Sequence, residues 1–84
     1  MNRYLILLMR RPDLDPTVVP QHLAYLDGLR ESGRVELSGG FSDKSGGAYL
    51  LHANDLAEAT AIVHDDPAHR SGGWDITMHE WLAH

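Results

Sequence analysis

The sequence contains no cysteine, and this absence removes three kinds of chemistry together. Disulfide bonds, thiolate zinc sites and cysteine nucleophiles all require a thiol. A chain of 84 residues buries only a modest share of its surface, so it gains stability from a cross-link, a metal or a partner. With disulfides excluded, we expect residues 1–84 to form a single domain that is reinforced by a second subunit.

Basic residues and long apolar runs are also scarce. Seven lysines and arginines stand against 12 acidic residues, and the net charge of −5 argues against a nucleic-acid partner. The apolar run from Tyr4 to Met9 is too short to span a membrane. It is followed at once by Arg10-Arg11-Pro12, without the small-residue cleavage site of a signal peptide. We therefore expect a cytoplasmic protein with no membrane and no nucleic-acid partner.

The order of predicted elements indicates the fold class. Apolar runs and alternation predict four strands, and two helical segments separate them in the order βαββαβ. This order is typical of an α+β, ferredoxin-like split fold with a four-stranded antiparallel sheet and two helices on one face. The predicted strands are Tyr4–Met9, Val35–Ser38, Ala48–His52 and Trp74–Trp81, and the helices run from Pro20 to about Ser32 and from Leu56 to the residue before Pro67.

Two of these strands are apolar on both faces. Tyr4–Met9 and Tyr49–Leu51 offer no polar face to water. Two helices can cover only one face of the sheet, so the other face needs a partner. We expect a homodimer that joins through its sheet faces, with the helices outside, and closes into a dimeric α+β barrel.

His22 interrupts the apolar stripe of the first helix. A helix advances about 100° per residue, so His22 lies about 40° from the stripe centre at Leu26, inside the flanking Leu23 and Leu29 at about 60°. An imidazole at this position either finds a hydrogen-bond partner in the core or lines a cavity. Imidazole also titrates near neutral pH, which makes His22 a candidate proton carrier.

Asp66 is the candidate partner of His22. In a split fold the two helices lie side by side, so the end of the second helix approaches the start of the first. The helical period favours Asp66 over Asp65 as the inward carboxylate. Such a carboxylate would fix the imidazole tautomer and raise its basicity. The alternative is that Asp66 only caps or ends a helix while His22 bonds a backbone carbonyl.

The remaining polar residues give weaker signals. The other five histidines lack the spacings that are common in metal sites, and the sequence has neither a Gly-x-Ser-x-Gly nor a phosphate-loop motif. We therefore expect no metal and no cofactor. Arg10, Ser38 and Phe41 are candidate substrate-binding residues that line a pocket. Aromatic residues at three further positions are interpreted as core or interface: Tyr49, Trp74 and Trp81.

Several short segments, in their order and spacing, resemble the YciI-like proteins, which share the YCII-related domain. They are Pro20–Leu26, Leu29–Gly39, Gly46-Gly47, Leu56–Ala59, Asp66-Pro67 and the last strand with Glu80. The resemblance implies a dimeric α+β barrel and an active site built on a histidine and an aspartate, which carry over to His22 and Asp66. One relative is a dehydrochlorinase of chlorinated hydroxyquinols, which implies proton transfer at an activated ring or carbonyl compound.

One position departs from the family pattern. Ala68 stands where an aromatic residue is common, and this change would widen or rewet the pocket. Our leading hypothesis is a cofactor-free enzyme in which His22, oriented by Asp66, transfers protons on a small organic or aromatic-derived acid. Elimination, isomerisation and hydrolysis all fit this chemistry. Two other hypotheses stay open: a non-catalytic ligand-binding or accessory module, and a structural dimerisation domain.

Overall fold

A four-stranded antiparallel sheet forms one layer of the protein, in a computed structural model that describes residues 1–84. The strand order is β2-β3-β1-β4, which confirms the predicted α+β fold and its split topology. The elements are β1 (Asn2–Arg10), α1 (Val19–Glu31), β2 (Val35–Gly40), β3 (Gly46–Ala53), α2 (Leu56–His64), α3 (Pro67–Ser71) and β4 (Trp74–Glu80), with a 3₁₀ turn at Pro16–Val18. None of the helices has both the length and the apolar character needed to cross a membrane.

The short helix α3 is the main addition to the predicted elements. Pro67 does end the second helix, as expected, because the residue before a proline is held away from helical geometry. Asp66 is accordingly extended, with φ −67° and ψ 130°. The same Asp-Pro pair then starts a new helix, since aspartate is a favoured N-cap and proline suits the first helical position. Gly72, in the left-handed conformation at φ 73°, ends it.

The core lies between the sheet and the helices. Along β1, Tyr4, Ile6 and Leu8 are buried beneath the helices, whereas Leu5 and Leu7 on the opposite face are only half-buried. Strand residues alternate between faces, so this pattern separates a packed face from an open face. The packed face is continued by Tyr49 and Leu51 of β3 and by helix residues that include Leu26, Ala59, Val63 and Ala68.

A β-bulge in β2 shifts the alternation of its side chains between the two faces of the sheet. Val35 pairs with Leu51, but the next pair joins Leu37 to Leu50, so Glu36 is an extra residue. A bulge of this kind moves every later side chain of the strand to the other face. Ser38, which pairs with Tyr49, therefore lies on the helix side of the sheet.

The open face combines apolar and charged residues. Leu5, Leu7 and Leu37 lie on it by register, and Leu37 is 66% exposed. Glu36 accepts a hydrogen bond from His52 (Nε2 to Oε1, 2.8 Å) on this side of the sheet. The C-terminal residues reach one end of this face, where the Arg3 side chain donates to the Ala83 carbonyl at 3.0 Å. The pairing of the open face with a second subunit stays a prediction.

Candidate active site

His22 and Asp66 come together although 44 residues separate them in sequence. Nδ1 of His22 lies 2.9 Å from Oδ1 and 2.8 Å from Oδ2 of Asp66. The predicted convergence of the two side chains is therefore present in the structure. Asp65, the disfavoured alternative, is exposed. A carboxylate only accepts hydrogen bonds, so Nδ1 carries the proton and Nε2 is left as the basic nitrogen.

Asp66 performs the two tasks that the sequence presented as alternatives. Its Oδ1 accepts the backbone N–H of Ala68 at 2.9 Å, which caps α3, and the same carboxylate holds His22. The residue is fully buried. A buried carboxylate that accepts hydrogen bonds from these two donors has a fixed orientation, and it fixes the orientation of the imidazole in turn.

Two aromatic rings flank the imidazole. The ring centroid of Trp74 lies 6.0 Å from that of His22, and that of Tyr49 lies 6.3 Å away. Both residues are buried, as the sequence interpretation proposed. Trp74 has a further role that the interpretation missed, because it also lines the cavity beside His22. The signal would have been its cross-strand pairing with Arg10, which requires the strand register.

The Tyr49 hydroxyl is buried and has no hydrogen-bond partner. Burial and, after it, the nearby negative charge of Asp66 raise the pKa of this phenol far above its usual range. The Tyr49 hydroxyl therefore keeps its proton at neutral pH. An unpaired polar atom in the core lowers stability, because it has lost its hydrogen bonds to water.

Tyr49→Phe is expected to leave the free energy of unfolding unchanged or to raise it slightly, since the lost hydroxyl makes no hydrogen bond. Tyr25→Phe is the matched control. The Tyr25 hydroxyl donates to the Ile62 carbonyl at 2.6 Å, so its removal should cost about 0.5–1.5 kcal/mol. Urea denaturation of both variants checks the prediction. A loss in Tyr49→Phe as large as that in Tyr25→Phe would show that the hydroxyl has a stabilising partner.

A cavity of about 250 Å³ opens next to His22. It lies between the first half of α1 and the adjoining ends of β2 and β3, with β1 and β4 at its side. Two of the three predicted binding residues, Arg10 and Ser38, line it. The other lining residues are mostly apolar side chains and glycines: Leu8, Val19, Leu23, Leu26, Trp74, Ala48, Gly39, Gly40, Gly46 and Gly47.

Phe41 is not among the residues that line this cavity, and its role in substrate binding stays a prediction. The bulge at Glu36 places Gly40 on the helix side, and alternation then directs Phe41 away from it. Its N–H donates to the Gly46 carbonyl at 2.8 Å in the hairpin turn. Ala68 is also absent from the cavity wall and is fully buried in the core. The effect of Ala68 on the pocket stays a prediction.

Arg10 differs from its charged neighbours because it forms no ion pair. Arg11 lies 3.6 Å from both Asp13 and Asp75. Arg30 pairs with Asp27 at 2.9 Å and also donates a hydrogen bond to the Ser38 hydroxyl. The guanidinium of Arg10 is thus a cation at the cavity without a carboxylate partner from the protein. The chain holds no cluster of three or more histidine or acidic side chains placed to bind a metal ion.

The sequence pattern of the YCII-related domain matches residues 2–81. The chain belongs to this family. The uncharacterized protein YjpA of Bacillus subtilis (strain 168) is 41% identical over 81 residues, which cover 96% of this chain and 95% of YjpA. The resemblance found in the sequence is thereby confirmed over nearly the whole domain.

A solved structure shares the fold of this YCII-related protein. It is the 5-chloro-2-hydroxyhydroquinone dehydrochlorinase TftG from Burkholderia phenoliruptrix AC1100, in complex with 2,5-dihydroxybenzoquinone. The TM-score is 0.73 at 21% identity, with 98% of this chain and 95% of TftG covered. At this level of identity the likeness shows the α+β fold.

Proposed function

We propose that this YCII-related protein is a small enzyme in which His22 is the general acid or base and Asp66 orients it. The proposal needs no metal and no organic cofactor. The observation that carries it is that one ring nitrogen of His22 is held by a buried carboxylate while the side chain lines a cavity. A histidine that served only packing would not need both features.

The pair would work by moving one proton. Nε2 takes a proton from carbon or oxygen of the bound compound, and the imidazolium that forms is stabilised by the Asp66 carboxylate. The same nitrogen then returns the proton to the product or to a leaving group. Elimination, isomerisation and hydrolysis can all follow this course. Arg10 and Ser38 are proposed to hold the substrate, with Arg10 binding its acidic group.

The dehydrochlorinase activity in TftG's name supports elimination from a small ring compound as the first reaction to test. The direct experiment incubates the purified protein with 5-chloro-2-hydroxyhydroquinone under anaerobic conditions and measures chloride release. A second assay measures exchange of substrate C–H protons with D₂O, which detects proton abstraction even when no group leaves. We expect signal in at least one assay. Heat-denatured protein is the control.

The competing function is a non-catalytic binding module that uses the same cavity. It predicts that small acids are retained by the protein, as detected by native mass spectrometry, while neither chloride release nor proton exchange exceeds the control. That pair of results would contradict the proposed enzyme. The cytoplasmic location also stays a prediction of the sequence.

We further propose that the open sheet face joins two copies of the chain. Leu37 is exposed in the protomer, so Leu37→Lys should weaken the dimer without unfolding it. The matched control is Leu56→Lys, at a 58% exposed leucine on α2. Sedimentation velocity at micromolar concentration should give a dimer for the wild type and for Leu56→Lys, and dissociation only for Leu37→Lys. A monomeric wild type would contradict the proposed assembly.

A further inference from the structure

Two glycines face each other across β2 and β3 on the helix side of the sheet. Gly40 pairs with Gly47, and Gly47 pairs with Leu8 on its other side. Both glycines line the cavity that also contains His22. At these two positions the sheet has no side chains, and bare peptide groups form this part of the cavity wall. A side chain at Gly40 would take up space in the cavity.

Glycine stands at these two positions for different physical reasons. A Cβ on Gly47 would lie 2.6 Å from the Gly39 carbonyl oxygen, so the approach of the backbones alone requires glycine there. Gly40 has no such constraint. Its φ is not in the left-handed region, and a Cβ would meet only the Gly46 oxygen at 3.7 Å. Glycine weakens a strand, yet no backbone reason explains it at this position. The absence of a side chain at Gly40 leaves space in the cavity.

The volume of the cavity suits a ligand of about one ring. An apolar cavity of about 150 Å³ accommodates benzene, and drug-sized ligands occupy about 300–1,000 Å³. The cavity here, at about 250 Å³, fits a single ring with a few substituents. Leu8, Leu26 and Trp74 supply apolar walls, and the peptides of Gly40 and Gly47 leave the sheet side of the cavity without side chains at these positions.

The unpaired guanidinium of Arg10 indicates the charge of the ligand. It lines the same cavity and has no carboxylate of the chain to neutralise it. We propose that the cavity is a slot for one flat, negatively charged ring, and that Gly40 keeps the slot open. This inference rests on the proposed function only in that it names the substrate class of the same cavity.

Two acids of equal charge and carbon number test the slot. Benzoate is flat, whereas cyclohexanecarboxylate is thick, and benzyl alcohol is flat but neutral. Calorimetric titration of the wild-type protein should show benzoate binding about tenfold or more tightly than either of the others, a difference of about 1.4 kcal/mol. Equal affinity for the flat and the thick acid would overturn the slot, and equal affinity for benzyl alcohol would overturn the role of Arg10.

A pair of glycine variants tests the role of Gly40. Gly40→Ala adds a methyl group within the cavity and should weaken benzoate binding about tenfold or more. Gly28→Ala is the control, because Gly28 lies in α1 outside the cavity and its Cβ would meet nothing within 4 Å. Both variants should melt at or above the wild-type temperature, since alanine suits a strand or a helix better than glycine. Equal benzoate affinity in the two variants would overturn the assignment.

These outcomes are separate from the fate of the proposed function. Benzoate binding that depends on Gly40, without any turnover, would contradict the enzyme and leave the slot intact. Turnover with no preference for flat acids would contradict the slot alone.

Discussion

Replacing His22 with asparagine is expected to lower kcat by about 10²–10⁴-fold on any compound that the wild-type protein turns over. The amide nitrogen of asparagine can take the place of Nδ1 and still donate to Asp66. It cannot accept and return a proton near neutral pH. The variant thus removes the proton carrier and keeps the buried hydrogen bond. Steady-state kinetics on the active compound provide the measurement.

His22→Ala is the companion variant, because it removes both the proton carrier and the hydrogen bond. We expect its kcat to fall as far as that of His22→Asn, whereas its stability should fall further. Benzoate affinity should change much less than kcat in His22→Asn. If kcat in both variants stayed within a few-fold of the wild-type value, His22 would not be the proton carrier.

Asp66→Ala is expected to lower the free energy of unfolding by roughly 2–4 kcal/mol, the largest stability loss that we predict for a single polar residue. The substitution removes the cap of α3, which is worth about 0.5–2 kcal/mol. It also leaves the Nδ1–H of His22 without its acceptor in a largely buried site, at about 1–3 kcal/mol. Urea denaturation monitored by tryptophan fluorescence measures the loss, since Trp74 lies beside the site.

Two further variants provide comparisons for the stability loss of Asp66→Ala. Asp66→Asn keeps an oxygen that can accept one of the two hydrogen bonds, so its loss should be smaller than that of alanine. Asp65→Ala changes the exposed neighbour and should alter stability by less than about 0.5 kcal/mol. A loss in Asp66→Ala no greater than in Asp65→Ala would show that the buried carboxylate does not support the fold.

The pairing of His22 with Asp66 could be predicted from the sequence because it depends on two regular features. The helical period places His22 within the apolar stripe, and the split fold brings the end of α2 to the start of α1. Neither inference needs the position of a single loop. The apolar character of β1 on both faces likewise predicted an uncovered sheet surface, since it needs only the alternation of a strand.

The cavity wall could not be predicted in the same way, because it depends on strand register. Trp74 reaches the cavity since it pairs with Arg10 at the end of the sheet. Phe41 does not line the cavity because the bulge shifts the alternation of side chains in β2. The sequence shows neither the pairing nor the extra residue. Helix α3 was missed for a different reason: a proline that ends one helix can also begin the next.

The bulge at Glu36 also determines which residues of β2 line the cavity. If β2 paired with β3 without the bulge, Leu37 and not Ser38 would stand opposite Tyr49 on the helix side, and the leucine side chain would project toward the cavity. The cavity therefore depends on how β2 pairs with β3 as well as on the residues that line it. A change that abolished the bulge would place a leucine side chain in the wall, although it altered no residue that lines the cavity.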